Sequence, residues 1–183
     1  MRAMVIEAFG GPEVLSEQEI ARPLPGAREL LVKVIASGTN PVEAKMRAAG
    51  AARGVTLPAV LGKDASGVVE ETGPGCRDFS VGDEVYYTPE LASPHPGTYA
   101  EYHVVDEAIV AHKPGGLSHI EAAAVPLAGG TAWQVLIDRM HIAPAETVLI
   151  HGGREALGRL PYRLPRRPAL VCLRPHRRGT RIS

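Results

Sequence analysis

The chain has 183 residues, 45% of them hydrophobic and 22% charged, with a formal net charge of zero. That length holds one well-packed domain and an appendage. The longest apolar runs are too short for a membrane-spanning helix, and the opening Met1–Glu7 meets an acid too early for a secretory leader, so the cytoplasm is the expected address.

The even balance hides an asymmetry. Residues 1–153 carry eleven Lys and Arg against nineteen Asp and Glu, whereas residues 154–183 carry nine Arg, one acid and four prolines. A basic, proline-rich end of this kind ordinarily suggests a nucleic-acid or membrane tail. Cys76 and Cys172 belong to no CxxC or Cys/His cluster, which leaves disulfide frameworks and structural zinc without support.

In chain order, the first 112 residues read as short strands punctuated by turns. Ala3–Ala8 ends at Gly10-Gly11-Pro12, and Val14–Ile20 ends at Pro23-Leu24-Pro25-Gly26. Leu30–Ala36 is the best strand, with alternation weak enough to suggest cover on both faces. Further strands are expected at Ala65–Glu71, Asp83–Tyr87, Gly97–Val105 and Ala108–His112. Such spacing points to a small barrel or sandwich. The period then changes: Ser118 and Glu121 form a capping box ahead of three alanines. Pro126 opens a second helix expected to run to about Met140, with Ala132, Val135, Leu136 and Met140 on one face. Glu146–Ile150 is an apolar run of the buried parallel type, and it ends in His151-Gly152-Gly153. A strand followed by glycines is how a dinucleotide-binding unit begins.

Four blocks stand in order: Ala36-Ser37-Gly38-Thr39-Asn40-Pro41-Val42-Glu43, Leu61-Gly62-Lys63-Asp64-Ala65-Ser66-Gly67-Val68-Val69-Glu70, Ala122 to Ala132, and Val148 to Gly153. Through them the chain resembles the zinc-independent quinone oxidoreductase (zeta-crystallin-like) branch of the medium-chain dehydrogenase/reductase superfamily. The resemblance implies a mainly β fold: a GroES-like β-barrel over residues 1–115, connector helices and a first Rossmann strand over 116–153, and an incomplete α/β domain. It also implies NADPH as cofactor and a small quinone or α,β-unsaturated carbonyl as substrate. The family forms homo-oligomers, a property less expected of this chain. No specific nucleic acid and no membrane are expected as partners.

Zinc-using cousins place Cys where Asn40 stands and His where Lys63 stands, and neither Asn nor protonated Lys is a zinc ligand. The expected metal ligands are therefore none. Asn40 and Thr131 are the expected catalytic residues. Asn40, Lys45, Thr131, Gly152, Gly153 and Gly158 are the expected cofactor contacts. Asn40 is read as a donor to a substrate oxygen or to the nicotinamide, against the alternative that it only satisfies the Pro41 turn. Thr131 is read as lying near the nicotinamide, or as a helix hydroxyl bonded to the preceding turn. Lys45 replaces a tyrosine the family often sets against the cofactor. Asp64 is read as the ion-pair partner of Lys63 beside the cleft. The remaining histidines read as plain polar positions, and Tyr86, Tyr87, Tyr99 and Tyr102 as strand packing.

After Gly153 the family pattern stops. Only Gly158 remains of the expected glycine turn, and Pro161, Pro165 and Pro168 each cost a crossover helix about 3 kcal/mol. Codons spelling residues 153–172 can be chosen so that a shifted frame reads Ala, Gly, Gly, Val, Gly, Ser, then an amphipathic helix. Residues 154–183 are accordingly expected to be an out-of-frame tail, and the chain to be inactive alone. The alternative is a non-catalytic GroES-like remnant with a basic, disordered tail. Either way Val148–Ile150 is expected to lack parallel neighbours, leaving apolar surface exposed at Leu136, Val148 and Ile150.

Overall fold

The computed structural model describes residues 1–50, 54–90, 95–143, 147–151 and 169–173. They fall into two compact units, Met1–Leu127 and Ala128–Ser183.

The first unit is built from eight strands: β1 (Arg2–Ile6), β2 (Leu15–Glu19), β3 (Glu29–Gly38), β4 (Ala59–Val60), β5 (Asp64–Thr72), β6 (Glu84–Tyr87), β7 (Tyr102–Asp106) and β8 (Val110–His112). They form two antiparallel sheets, ordered β2-β1-β4 and β7-β3-β5-β6-β8. The segment before β7 joins them: Met4 N–H donates to the Tyr99 carbonyl, and Val34 N–H to the Glu101 carbonyl. Register shifts at Leu31/Val32 and Val34/Ala36 bend β3 against β5, as bulges do. The core holds Leu30, Val32, Val69, Val85, Tyr87 and Val105, mostly β-branched or aromatic residues suited to a pleated surface.

Two glycines make the crossings possible. Gly62 has φ +112, a conformation side chains resist, and a Cβ on Gly67 would overlap the Lys33 carbonyl of the neighbouring strand. His103 departs from the expected plain polar position. It is buried, its Nδ1 lies 3.1 Å from the Tyr87 hydroxyl, and burial pushes its pKa down to about 3. His119 is likewise engaged, with Nδ1 2.8 Å from Ser66 Oγ and Nε2 3.1 Å from Glu84.

Helices complete the frame: α1 (Pro41–Ala49), α2 (His119–Ala123) and α3 (Pro126–Trp133). The Ser118–Glu121 capping box opens α2, with Ser118 N–H donating to the Glu121 carboxylate at 2.9 Å. The helix expected from Pro126 to Met140 winds as α only to Trp133 and continues as a π turn, Gln134–Arg139. Met140 N–H therefore bonds the Val135 carbonyl, five residues back. This widened turn rotates the apolar face: Ala132 and Leu136 are buried, but Val135 and Met140 are 44% and 54% exposed, contrary to the single face expected.

The second unit corrects another expectation. Its strand β9 (Thr147–His151) does have a parallel neighbour, β10 (Ala169–Leu173), in the register Thr147–Ala169 to His151–Leu173. Val148 and Leu136 are buried rather than exposed, while the side chain of Ile150 lies outside the described residues. The apolar Ala-Leu-Val-Cys-Leu run of the basic segment suffices to pair with β9. No helix among the described residues is long and apolar enough to cross a membrane.

Candidate functional site

The site is assembled where β3 ends and β5 begins. β3 delivers Ser37 and the turn at Asn40, and α1 starts directly afterwards with Pro41 at its first position, where a missing N–H costs nothing. Three residues on, Glu43 reaches back so that Asn40 N–H donates to its carboxylate at 2.8 Å. This is the returning half of a capping box. Glu43 is only 4% exposed, unusual for a carboxylate, and its partner set explains the burial.

Asp64 faces Asn40 from β5 and is 2% exposed. Its carboxylate is divided between two donors: Asn40 Nδ2 at 2.8 Å and the backbone N–H of Leu127 at 2.8 Å. The second bond sits in the first turn of α3, where an anion complements the helix dipole. The Asp64 carbonyl accepts from Ser37 Oγ at 2.8 Å and from Thr98 Oγ1 at 3.0 Å, and those hydroxyls lie 2.7 Å apart. Asp64 is thus fixed at both its backbone and its carboxylate. Burial pushes its pKa up to about 6, while the bonds from Asn40 and Leu127 oppose the rise and Glu43 adds to it. Burial also raises the Tyr99 phenol to about 12, with help from Glu43 and Asp64.

Asn40 is therefore half-buried and clamped. Its amide nitrogen serves Asp64 and, at 3.4 Å, Glu43, so both donor positions face carboxylates, while the side chain also faces the Glu43 backbone N–H in the capping box of α1. Asn40 Nδ2, expected to donate to a substrate oxygen or to the nicotinamide, donates here to Asp64 and Glu43. The Pro41-turn alternative is also realised, since the same residue caps α1.

The expected pairing of Lys63 with Asp64 is not formed. Lys63 Nζ donates to the Glu90 carbonyl at 2.7 Å, and Asp64 is committed to Asn40 and Leu127. Neighbouring residues entering a strand project to opposite faces, which separates the two. Lys63 is 7% exposed, and burial lowers its pKa despite the opposing field of Glu43. Lys45 stands on the exposed side of α1, and Thr131 is half-buried in α3. Gly152, Gly153 and Gly158 lie outside the described residues. Among the described residues no three His, Cys, Asp or Glu side chains cluster as a metal site. Glu43, Ser37, Thr98 and the Leu127 N–H were not anticipated. For Glu43 a signal existed, because Asn-Pro-x-Glu is itself a helix-start pattern.

Comparison with known proteins agrees with this architecture. Residues 26–115 match the alcohol dehydrogenase GroES-like domain. The chain is 36% identical over 174 residues to a quinone oxidoreductase of Pongo abelii, covering 94% of this chain and 52% of that protein. It is also 36% identical to the NADPH-dependent alkenal/one oxidoreductase, chloroplastic, of Arabidopsis thaliana, covering 90% of this chain and 44% of the relative. Among solved structures, an alcohol dehydrogenase superfamily protein from Novosphingobium aromaticivorans superposes with a TM-score of 0.86 at 36% identity, over 95% of this chain and 52% of the other. The chain spans about half the length of the curated relatives it matches.

Proposed function

The chain belongs to the quinone oxidoreductase family of medium-chain dehydrogenases/reductases, and on that premise we propose that it carries the barrel half of an NADPH-dependent, zinc-independent reductase of quinones or α,β-unsaturated carbonyls. The observation that supports this reading is the Asn40 amide, held between Asp64 and Glu43 where β3 ends. NADPH, when bound, supplies the hydride. The Asn40 oxygen suits the carboxamide N–H of a nicotinamide, a fit that rests on acceptor chemistry alone. Asp64 keeps Asn40 and the start of α3 in one hydrogen-bonded set, and Thr131 on α3 is the proposed second contact. Lys45 is the proposed outer contact to the cofactor, and Gly152, Gly153 and Gly158 its proposed phosphate-side residues. Asn40 and protonated Lys63 are not zinc ligands, so the residues at this site favour hydrogen-bond chemistry. The proposed setting is the cytoplasm.

A second reading is favoured by the composition of residues 154–183: nine arginines and four prolines follow where the glycine turn of a dinucleotide fold is expected. On that reading the chain is a non-catalytic remnant. Titration with NADPH, followed by nicotinamide fluorescence, separates the two when this chain is compared with one whose codons after Gly153 are read in the shifted frame. The restored chain is expected to bind, and Asn40→Ala in it to weaken binding about tenfold, the loss of about 1.4 kcal/mol for one buried hydrogen bond. A restored chain that leaves the fluorescence unchanged overturns the enzyme reading.

A further inference from the structure

His103 on β7 and Tyr87 on β6 are each 2% exposed, and His103 Nδ1 lies 3.1 Å from the Tyr87 hydroxyl. The sheet order β7-β3-β5-β6-β8 sets two strands between them, so this contact ties together strands that no ladder joins. The rings also stack, with centroids 5.5 Å apart. The hydrogen-bond inventory assigns the protons of the pair. Burial pushes the pKa of the Tyr87 phenol up, so its hydroxyl keeps its proton. Among the described residues, the one hydrogen bond of that hydroxyl is to Nδ1. Nδ1 therefore accepts, and the neutral imidazole carries its own proton on Nε2. Nε2 is buried with no hydrogen-bond partner among the described residues.

A second proton on this ring can enter only at Nδ1. It takes the lone pair that holds the Tyr87 O–H, and the phenol proton is left in the core without its acceptor. The surroundings offer the resulting cation little. From β3 the residue paired with His103 is Val32, apolar and buried. The charged groups acting on the ring are bases. His95, in the segment before β7, has Nε2 2.7 Å from Glu29 Oε1 at the start of β3, and Lys63, just before β5, donates to the Glu90 carbonyl. Burial first, then His95 and Lys63, hold the pKa of His103 down to about 3 against the Pro96 carbonyl, which favours the charged ring.

We propose that the Tyr87–His103 pair is an acid-sensitive latch across the barrel, closed while His103 is neutral and opened when a proton enters at Nδ1. Above the ordinary value of 6.5 the ring is neutral in the folded and unfolded chains alike, and the latch contributes in full. As pH falls from there toward 3, the unfolded chain takes the proton first, and that contribution is lost. Asp64 acts in the opposite sense over part of this range, and its effect cancels between chains that differ only at position 103.

The test uses the full chain with isotope-labelled histidine, and the variant His103→Asn, whose amide oxygen replaces the acceptor for Tyr87 and does not titrate. In NMR spectra of the wild type, the His103 ring is expected to keep its Nε2–H tautomer from about pH 7 to 5 for as long as the barrel is folded. In urea unfolding, the ratio of folded to unfolded wild type is expected to fall about twentyfold relative to His103→Asn between about pH 7 and 5, as for a group that titrates normally when unfolded and far lower when folded. An Nδ1–H tautomer in the folded barrel overturns the proposal, and so does a His103 imidazolium in a barrel still folded at about pH 5. Equal pH dependence of the two chains overturns it as well. Where His103→Asn does not fold, the wild-type ring resonances decide alone.

Discussion

Asp64 sets the pH behaviour of this site. Its pKa rises from 3.8 in the unfolded chain to about 6 in the folded one, chiefly through burial. The folded state therefore holds the proton more tightly between these values. Stability from this group is greatest below about pH 4, falls as pH rises toward 6, and is flat above, a span of ~3 kcal/mol at most. Denaturant titration of wild type and Asp64→Asn at several pH values checks this. The variant is expected to lose the decline between about pH 4 and 6, and an unchanged profile would assign the slope to other carboxylates. The turn at Asn40 was legible in sequence, because an Asn before a Pro shortly after the best strand is a defined turn signal. Its orientation was not, since that depends on Glu43 and Asp64, the latter 24 residues away and brought close only by sheet register.

Among the elements, the glycines give contrasting expectations. Gly67→Ala puts a methyl into the Lys33 backbone across β3–β5 and is expected to cost about 1–3 kcal/mol or more. Gly130→Ala, in α3 with open space where its Cβ would stand, is expected to gain up to about 1 kcal/mol. Midpoints of urea unfolding at constant slope measure both, and equal effects would refute the packing argument. Strands with alternation and flanking Gly or Pro were readable, as was the Ser118–Glu121 start of α2. Three features were not. Helix α1 follows its own start signal, Asn-Pro-x-Glu, but is too short and polar to announce a face. The strand expected at Gly97–Val105 begins only at Tyr102, because residues 97–101 bond across to Leu61, Arg2 and Met4 instead of continuing the ladder. The π turn after Trp133 has no periodic signature, because it breaks the 3.6-residue repeat by which helices are recognised.

Across the whole molecule, stability is unevenly distributed. β3 and β5 lie inside a five-stranded sheet over a buried cluster, whereas β9 and β10 pair only with one another among the described residues. A two-stranded sheet is marginal by itself. Amide hydrogen exchange is expected to be at least about tenfold slower in β3 and β5 than in β9, which equal protection would contradict. A small barrel or sandwich of short strands was visible from turn spacing and strand length. The β9–β10 pair was not, because a basic, proline-rich segment gives no reason to expect a strand partner inside it. The carboxylate of Asp64 has one further consequence, for protein engineering. It grips the Asn40 turn and the first amide of α3 together, so a graft of this barrel onto another reductase must carry residues 40, 64 and 127 as one cassette. A chimaera joined at the end of the GroES-like match, near residue 115, would inherit a foreign amide at this grip and leave a sealed-in charge to find its own neighbour.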